Sequence, residues 1–155
     1  MEEFITIERL LTSIFVAVPT AYLSVYLALK KYRTAKWWDN KSSCYLDTIA
    51  ALNSLIIYCD IQIDVDFKEV SYTVEQLKTN ETKFLEARSH LQAQVNLGVL
   101  LLNKVSYDAI FEFNNEFFSA EREYNSAFRI GGIREAAEKC IDVVVSNAKK
   151  DLGVK

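Results

Sequence analysis

Twenty consecutive residues near the N-terminus, 10–29, carry no charged side chain. A helix needs about twenty residues to cross the hydrocarbon core of a bilayer, so this run predicts a transmembrane helix. A signal peptide would begin with a basic region and end at a small-residue cleavage site, whereas this N-terminus is acidic. A helix lying in the membrane surface would have a strongly charged face, which is missing here. A buried core helix stays open as an alternative, because hydroxyl residues make the run only moderately apolar.

The charges on the two sides of this run predict its orientation. Lys and Arg collect on the cytoplasmic side of a spanning helix, and here they follow the run, so the N-terminus is expected outside and the C-terminal part in the cytoplasm. Two tryptophans come next, and such rings favour the membrane–water interface. The residues predicted to lie at this interface, in contact with membrane lipid, are Lys30, Lys31, Tyr32, Arg33, Lys36, Trp37 and Trp38.

Small side chains recur along one face of the predicted span. In lipid, helices associate where small residues let their backbones approach closely, so the pattern predicts that the protein is a homo-oligomer. Pro19 lies within the span and favours a kink. The predicted helix-association face consists of Ser13, Ala17, Thr20, Ala21, Ser24 and Ala28.

The remaining chain predicts a single helical domain, which gives an anchor over residues 1–35 and a cytosolic bundle over 36–155. One proline and four glycines in the whole chain favour long helices. The fold class is therefore all-α, with the spanning helix continuing into an up-down bundle of about four helices. Apolar residues at helical spacing predict helices over 36–63, 73–103, 106–128 and 133–152, with residues 60–72 as a frayed end and connection.

The helix boundaries rest on capping and turn residues. Ser106 is predicted to cap the third helix at its N-terminus. Gly131 and Gly132 are predicted to end that helix and let the chain reverse. An interruption of the second helix is expected at residues 79–81, where Thr and Asn side chains compete for backbone hydrogen bonds.

Residues that could carry chemistry are sparse, and we expect no enzyme activity and no catalytic, cofactor or metal site. His90 is the single histidine, and Cys44, Cys59 and Cys140 form no metal-binding spacing. We expect no nucleic-acid partner, because binding to phosphates needs a basic surface. After Lys41 there are twelve Lys and Arg against seventeen Asp and Glu, a difference of minus five.

Two local features suggest contacts. Arg129 and Arg134 flank Gly131 and Gly132, and a helix that begins there would offer bare amides and guanidinium groups to an anion. An ordinary interhelical turn is the alternative. Phe113 lies off the predicted inward stripe of its helix, so it is a candidate protein contact, with core filling as the other interpretation.

Both ends of the chain resemble small bacterial single-pass membrane-anchored helical proteins of unknown function. The resemblance rests on a KWW-x-x-K…Y…I…AL stalk and a closing A-x-x-D-L-G. The residues that match are Lys36, Trp37, Trp38, Lys41, Tyr45, Ile49, Ala51 and Leu52, and then Ala148, Asp151, Leu152 and Gly153. The resemblance implies a bacterial inner membrane and this architecture, and it implies no active site.

Two functions remain open at this point. The first is a membrane-anchored interaction protein that self-associates or holds a cytosolic protein partner at the inner face of the membrane. The alternative is an oligomeric membrane-perturbing effector of an anti-phage or toxin-type defence system, triggered through its cytosolic domain.

Overall fold

The computed structural model describes the backbone of residues 2–67 and 70–153, with the side chains of 18–67, 70–96 and 98–153. Four α-helices and one short 3₁₀ turn make up this part of the chain, and it contains no strand. The helices are α1 (Glu2–Phe67), α2 (Val74–Leu97), α3 (Lys104–Glu121) and α4 (Ser126–Leu152), and the 3₁₀ turn is Gly98–Leu100. The prediction of an all-α fold with four helices is confirmed.

The chain divides into two compact units, residues 1–39 and 40–155. Helix α1 extends through both, as expected from the lack of any helix-breaking signal between the predicted span and the first bundle helix. The first unit consists of this helix alone among the described residues. The second unit contains the rest of α1 with α2, α3 and α4, and we call it the bundle.

The bundle buries one face of each helix. Along α1 the buried residues recur at three and four, as a helix with one covered side requires. They are Lys41, Cys44, Tyr45, Thr48, Ala51, Leu52, Leu55 and Cys59. On α4 the apolar residues Ala136, Ala137, Cys140, Val144 and Ala148, which recur at helical spacing, are all buried, and Ile141 is partly buried.

Contacts between the helices give their order and direction. Tyr58 stacks on Phe84 and Cys44 lies 3.2 Å from the side-chain oxygen of Gln94, so α2 runs opposite to α1. Helix α4 also runs opposite to α1, because residue 41 contacts residue 151 while residue 60 contacts residue 134. These pairings are those of a bundle of antiparallel neighbours.

Side-chain caps fix the helix ends, and several of the predicted ends are wrong. Thr73 and Gln76 form a capping box at the start of α2. The cap of α3 is Asn103, whose side-chain oxygen accepts from the Ser106 amide at 2.8 Å, so Ser106 is the capped residue and not the cap. Helix α2 ends at Leu97 instead of reaching 103, and it continues without interruption through residues 79–81.

The prediction that the glycine pair ends a helix is also wrong. Helix α3 ends at Glu121, and α4 begins at Ser126, so Gly131 and Gly132 lie inside α4 and do not end a helix. The Asn125 side chain accepts from the amides of Ala127 and Phe128, which starts α4 ahead of the glycines. A Cβ at Gly132 would lie 3.3 Å from the Ala120 Cβ, so glycine at this position permits close packing of α3 on α4.

The segment 60–72 also differs from expectation in part. Helix α1 continues to Phe67, so the alternating polar and apolar residues 60–67 are helical and the connection begins later. The Tyr72 hydroxyl donates to Asp64 at 2.9 Å and ties the connection back to α1.

Candidate functional site

The predicted span is exposed wherever its side chains are described. All residues from 18 to 40 are exposed, including Thr20, Ala21, Ser24 and Ala28 of the helix-association face. Ser13 and Ala17 lie outside the residues whose side chains the structure describes. The Ser24 hydroxyl donates to the Thr20 carbonyl at 2.8 Å, which satisfies its donor without water.

By length and composition, one helix of the described residues, Val18–Phe67, can cross a membrane. A buried core helix passes the same test. Because 28 % of the apolar stretch that passes is buried while residues 18–40 are all exposed, that stretch reaches into the part of α1 after residue 40 and is not the predicted span alone. The finding therefore makes α1 a candidate span and leaves its topology open.

The predicted interface residues follow the span on the same helix and are also exposed. The rings of Trp37 and Trp38 meet edge to face, with centroids 5.2 Å apart. Lys30, Lys31 and Trp38 share an open groove with Leu27, Thr34 and Ala35. An indole beside ammonium groups suits a phospholipid headgroup layer, where one end of the ring is apolar and the other wet.

A polar cluster with short contacts lies where α1 enters the bundle. The ammonium of Lys41 is 2.7 Å from one carboxylate oxygen of Asp151, and the Tyr45 hydroxyl donates to the other at 2.7 Å. The Tyr45 oxygen also accepts from the backbone amide of Asn103 at 3.2 Å. We call Lys41, Tyr45, Asn103 and Asp151 the Asp151 cluster.

The ionisation of the Asp151 cluster follows from these contacts. Burial alone would raise the pKa of Asp151, but the hydrogen bonds from Lys41 and Tyr45 and the charge of Lys41 outweigh it and lower the pKa. Burial and the adjacent carboxylate raise the pKa of Tyr45. Asp151 is therefore an anion and Tyr45 a neutral donor at physiological pH.

This cluster joins three elements and leaves no reactive group open. Both carboxylate oxygens of Asp151 have partners, and the side chains of Lys41 and Asp151 are only 9 % and 19 % exposed. Because both charged groups are paired and largely buried, the pair holds the helices in position and offers no nucleophile or base to a substrate. The cluster therefore ties the first turn of the bundle to the last turn of α4 and to the cap of α3.

Lys41, Tyr45 and Asp151 belong to the motifs at the two ends of the chain, and nothing in those motifs shows that the three residues meet. Lys41 and Asp151 are 110 positions apart, and no local pattern shows such a contact. Charge could have indicated this contact. A lysine and an aspartate of opposite sign, each beside an apolar helix face, lie at the two ends of one domain.

No protein-family model, curated protein or solved structure matches the chain. The resemblance to small membrane-anchored proteins thus stays a prediction based on the motifs at the two ends. The physical account of the site rests on the residues alone.

The anion contact predicted at Arg129, Gly131, Gly132 and Arg134 lacks the geometry on which it depended. The glycines lie within α4, so their amides belong to the helix and are not bare N-terminal groups. The Arg134 guanidinium is 2.6 Å from Asp60 and 2.9 Å from Glu138. Arg134 therefore joins α4 to α1.

Phe113 fills the core and offers no exposed contact, so of its two interpretations the core-filling one fits the structure. Phe113 is 4 % exposed, whereas Phe111 is 49 % exposed. The buried residues of α3 are Ser106, Ile110, Phe113 and Phe117, which are spaced by four, three and four. Phe113 lies on that stripe, and Phe111 lies two residues, or about 200° of helix rotation, from it.

The other polar groups of the bundle offer no assembled reactive centre among the described residues. Cys44, Cys59 and Cys140 are free and buried, and burial raises the pKa of Cys59 and Cys140 to about 12. The described residues hold no group of three or more His, Cys, Asp or Glu suited to a metal. Two open grooves, each of about 650 to 670 Å³, lie along α1–α2 and α3–α4.

Proposed function

We propose that the chain is a membrane-anchored helical interaction protein, held at the cytoplasmic face of a bacterial inner membrane, where it self-associates, holds a partner, or both. The observation that carries this proposal is the exposure of the whole of residues 18–29, none of them charged. Seven large apolar side chains of this segment have no cover in the protein: Val18, Tyr22, Leu23, Val25, Tyr26, Leu27 and Leu29.

At 100° per residue these seven side chains cover about 200° of the helix circumference, and the small residues Thr20, Ala21, Ser24 and Ala28 occupy the rest. No face of residues 18–29 is therefore charged, which decides between the two kinds of burial. A helix that packs on its own domain has one apolar stripe and one polar face. A helix without a charged face belongs inside a large core or a bilayer, and residues 18–29 are exposed along their whole length. Removing such surface from water is favourable by about 25 cal/mol per Å², so lipid is the natural surrounding.

The Asp151 cluster supports an anchored binding domain. It fixes the first turn of the bundle to α3 and α4 with a charged pair and two hydrogen bonds. A tethered domain needs such a firm attachment of its first helix, because any pull on the tether acts there. A partner protein has exposed aromatic rings available elsewhere on the bundle, at Phe111, Tyr124 and Phe128.

Two charges in the span test the anchoring. Val18 and Leu23, which lie near the middle of the uncharged run 10–29, are each replaced by Lys, which costs about 2.5 to 3.5 kcal/mol per residue at a helix centre in insertion measurements. We expect the native protein to stay with membranes after alkaline carbonate extraction and the variant to be released. The matched control replaces Leu46 and Leu85, which are similarly exposed but lie in the bundle, and should stay membrane-bound. Release of the native protein, or of both variants equally, would contradict the proposal.

A membrane-perturbing effector is the second candidate, and the observation that favours it is Pro19 inside α1. Proline removes one helix hydrogen bond and lets a span bend, which suits a helix that rearranges. Overexpression should then depolarise cells, and replacing the span by an inert one should abolish the effect. Depolarisation that survives the replacement, or none at all, would leave the interaction protein as the better account.

A further inference from the structure

The 3₁₀ turn between α2 and α3 carries apolar side chains that the bundle leaves uncovered. Val99 is 59 % exposed and Leu100 is 76 % exposed, and Val105 follows on the first turn of α3 at 54 %. In the same connection Leu102 is buried at 8 %. Leu102 therefore faces the core of the bundle, whereas Val99, Leu100 and Val105 are exposed and form what we call the outward group.

The backbone holds the outward group in place. The amides of Leu101 and Leu102 both donate to the Gly98 carbonyl, at 3.1 and 2.8 Å. A Cβ at Gly98 would lie 2.9 Å from a Leu102 methyl carbon, so the turn is packed closely on its own buried leucine. Asn103, the next residue, is tied to Tyr45 of the Asp151 cluster. These contacts fix the backbone of the turn so that the side chains of Val99 and Leu100 face outward.

This turn lies at the end of the bundle where the chain arrives from the predicted span. Helix α2 runs toward that end, since its residue 84 contacts residue 58 of α1 and its residue 94 contacts residue 44. The turn begins four residues after 94 and therefore lies level with the first residues of the bundle. Asn40 follows Trp38, which is predicted to lie at the membrane–water interface, by two residues, a rise of about 3 Å at 1.5 Å per residue of helix.

Basic side chains collect at the same end. Lys149 and Lys150 are exposed in the last turn of α4, which the Lys41–Asp151 pair holds at this end. Lys104, next to the turn, has its side chain 85 % exposed and shares its charge with Asp108. The chain after Lys41 is acidic as a whole, so three lysines around an apolar tip are a local reversal of charge.

We propose that Val99 and Leu100 dip into the surface of the bilayer that the span crosses, with Lys104, Lys149 and Lys150 on anionic headgroups. The inference rests on the proposed membrane anchoring. Apolar tips flanked by basic residues bind where acyl chains meet headgroups, and anionic lipid strengthens the contact. The bundle then has a second attachment to the membrane and presents one fixed side to the cytoplasm.

A quenching experiment on the full-length protein in nanodiscs tests this contact. Single cysteines are introduced as Val99→Cys, Val74→Cys and Leu23→Cys and labelled with an environment-sensitive fluorophore. The native cysteines are buried, so they should not compete for the label. The discs contain phosphatidylserine and phosphatidylcholine, with or without a spin-labelled acyl chain that quenches nearby probes.

Val74 is the matched control, because it is an exposed valine at the opposite end of α2. We expect the probe at 99 to have blue-shifted emission and to lose most of its intensity to the quencher, and the probe at 74 to lose none. Replacing Lys104, Lys149 and Lys150 by Gln, or using phosphatidylcholine alone, should reduce the loss at 99.

The probe at 23 separates the two proposals. Quenching at 23 without quenching at 99 overturns the surface contact and leaves the anchor standing. A blue shift at 99 without quenching means that protein covers the turn, which also overturns the contact. No quenching at 23 overturns the anchor, and the surface contact with it.

Discussion

At the scale of single residues, the Asp151 carboxylate is the polar group whose loss should destabilise the bundle most. Replacing Asp151 by Asn leaves the Lys41 ammonium, 9 % exposed, without its carboxylate. Breaking a largely buried pair from one side is costly, so we expect the free energy of unfolding to fall by about 2 to 3 kcal/mol. Denaturant unfolding of the full-length protein in mild detergent, followed by circular dichroism, measures the change.

The matched control is Tyr45→Phe, which keeps the ion pair and removes the hydroxyl that donates to the same carboxylate and accepts from the Asn103 amide. It should cost about 1 to 2 kcal/mol. If Asp151→Asn costs no more than Tyr45→Phe, the pair does not hold the bundle together in the way described here.

The pH dependence of unfolding gives an independent check on Asp151. Its pKa in the folded protein lies below the ordinary 3.8, so its stabilising contribution is complete above pH 3.8 and is lost as the pH falls through the lower folded value. Between pH 5 and pH 3 the native protein should lose more stability than Asp151→Asn. Identical slopes for the two proteins would show that this carboxylate has no shifted pKa.

The two phenylalanines of α3 form a second residue-scale test. Phe113→Ala should destabilise by about 3 to 4 kcal/mol, because it empties a buried site. Phe111→Ala, two residues away and half exposed, should cost less than 1 kcal/mol. Thermal unfolding of both variants measures the difference, and equal effects would contradict the register of α3.

At the scale of elements, the two glycines of α4 are a matched pair. Gly131→Ala adds a Cβ in open space and should stabilise the helix by about 1 kcal/mol. Gly132→Ala puts a Cβ 3.3 Å from Ala120 of α3, so close packing offsets the gain. A loss of stability for Gly131→Ala in denaturant unfolding would mean that the chain turns at the glycines.

The helices also show which structural features can be predicted from the sequence. Periodicity predicted four helices and most of the inward residues of α4, because burial on one face repeats every three to four residues. It failed at ends that depend on particular contacts. A glycine pair normally ends a helix, but here the Asn125 cap and the packing on Ala120 outweigh the low helix propensity of glycine.

At the scale of the whole molecule, the candidate site divides into a part that sequence predicts and a part that it does not. The span and its basic border can be predicted because they follow from local composition. The Lys41–Asp151 pair joins opposite ends of the chain, and neither residue marks itself locally as paired. For a related reason the sequence left the position of Phe113 open between a protein contact and the core. Helix α3 is rich in Phe, so the sequence alone does not show which of these rings face inward.

Self-association through the span is the whole-molecule claim with the clearest geometric test. Replacing Ala21 and Ala28 by Leu adds bulk to the predicted association face, where close backbone approach needs small side chains. The control replaces Tyr22 and Tyr26 by Leu, which changes the opposite face and keeps it apolar. All four side chains are exposed in the single chain.

The decisive measurement is the protein mass of the native chain and these two variants in detergent, by light scattering with the detergent contribution subtracted. We expect a discrete multiple of the 17.8 kDa chain for the native protein and for the tyrosine variant. The alanine variant should fall to a single chain. A native protein of 17.8 kDa, or an oligomer that the alanine variant leaves intact, would contradict assembly through this face.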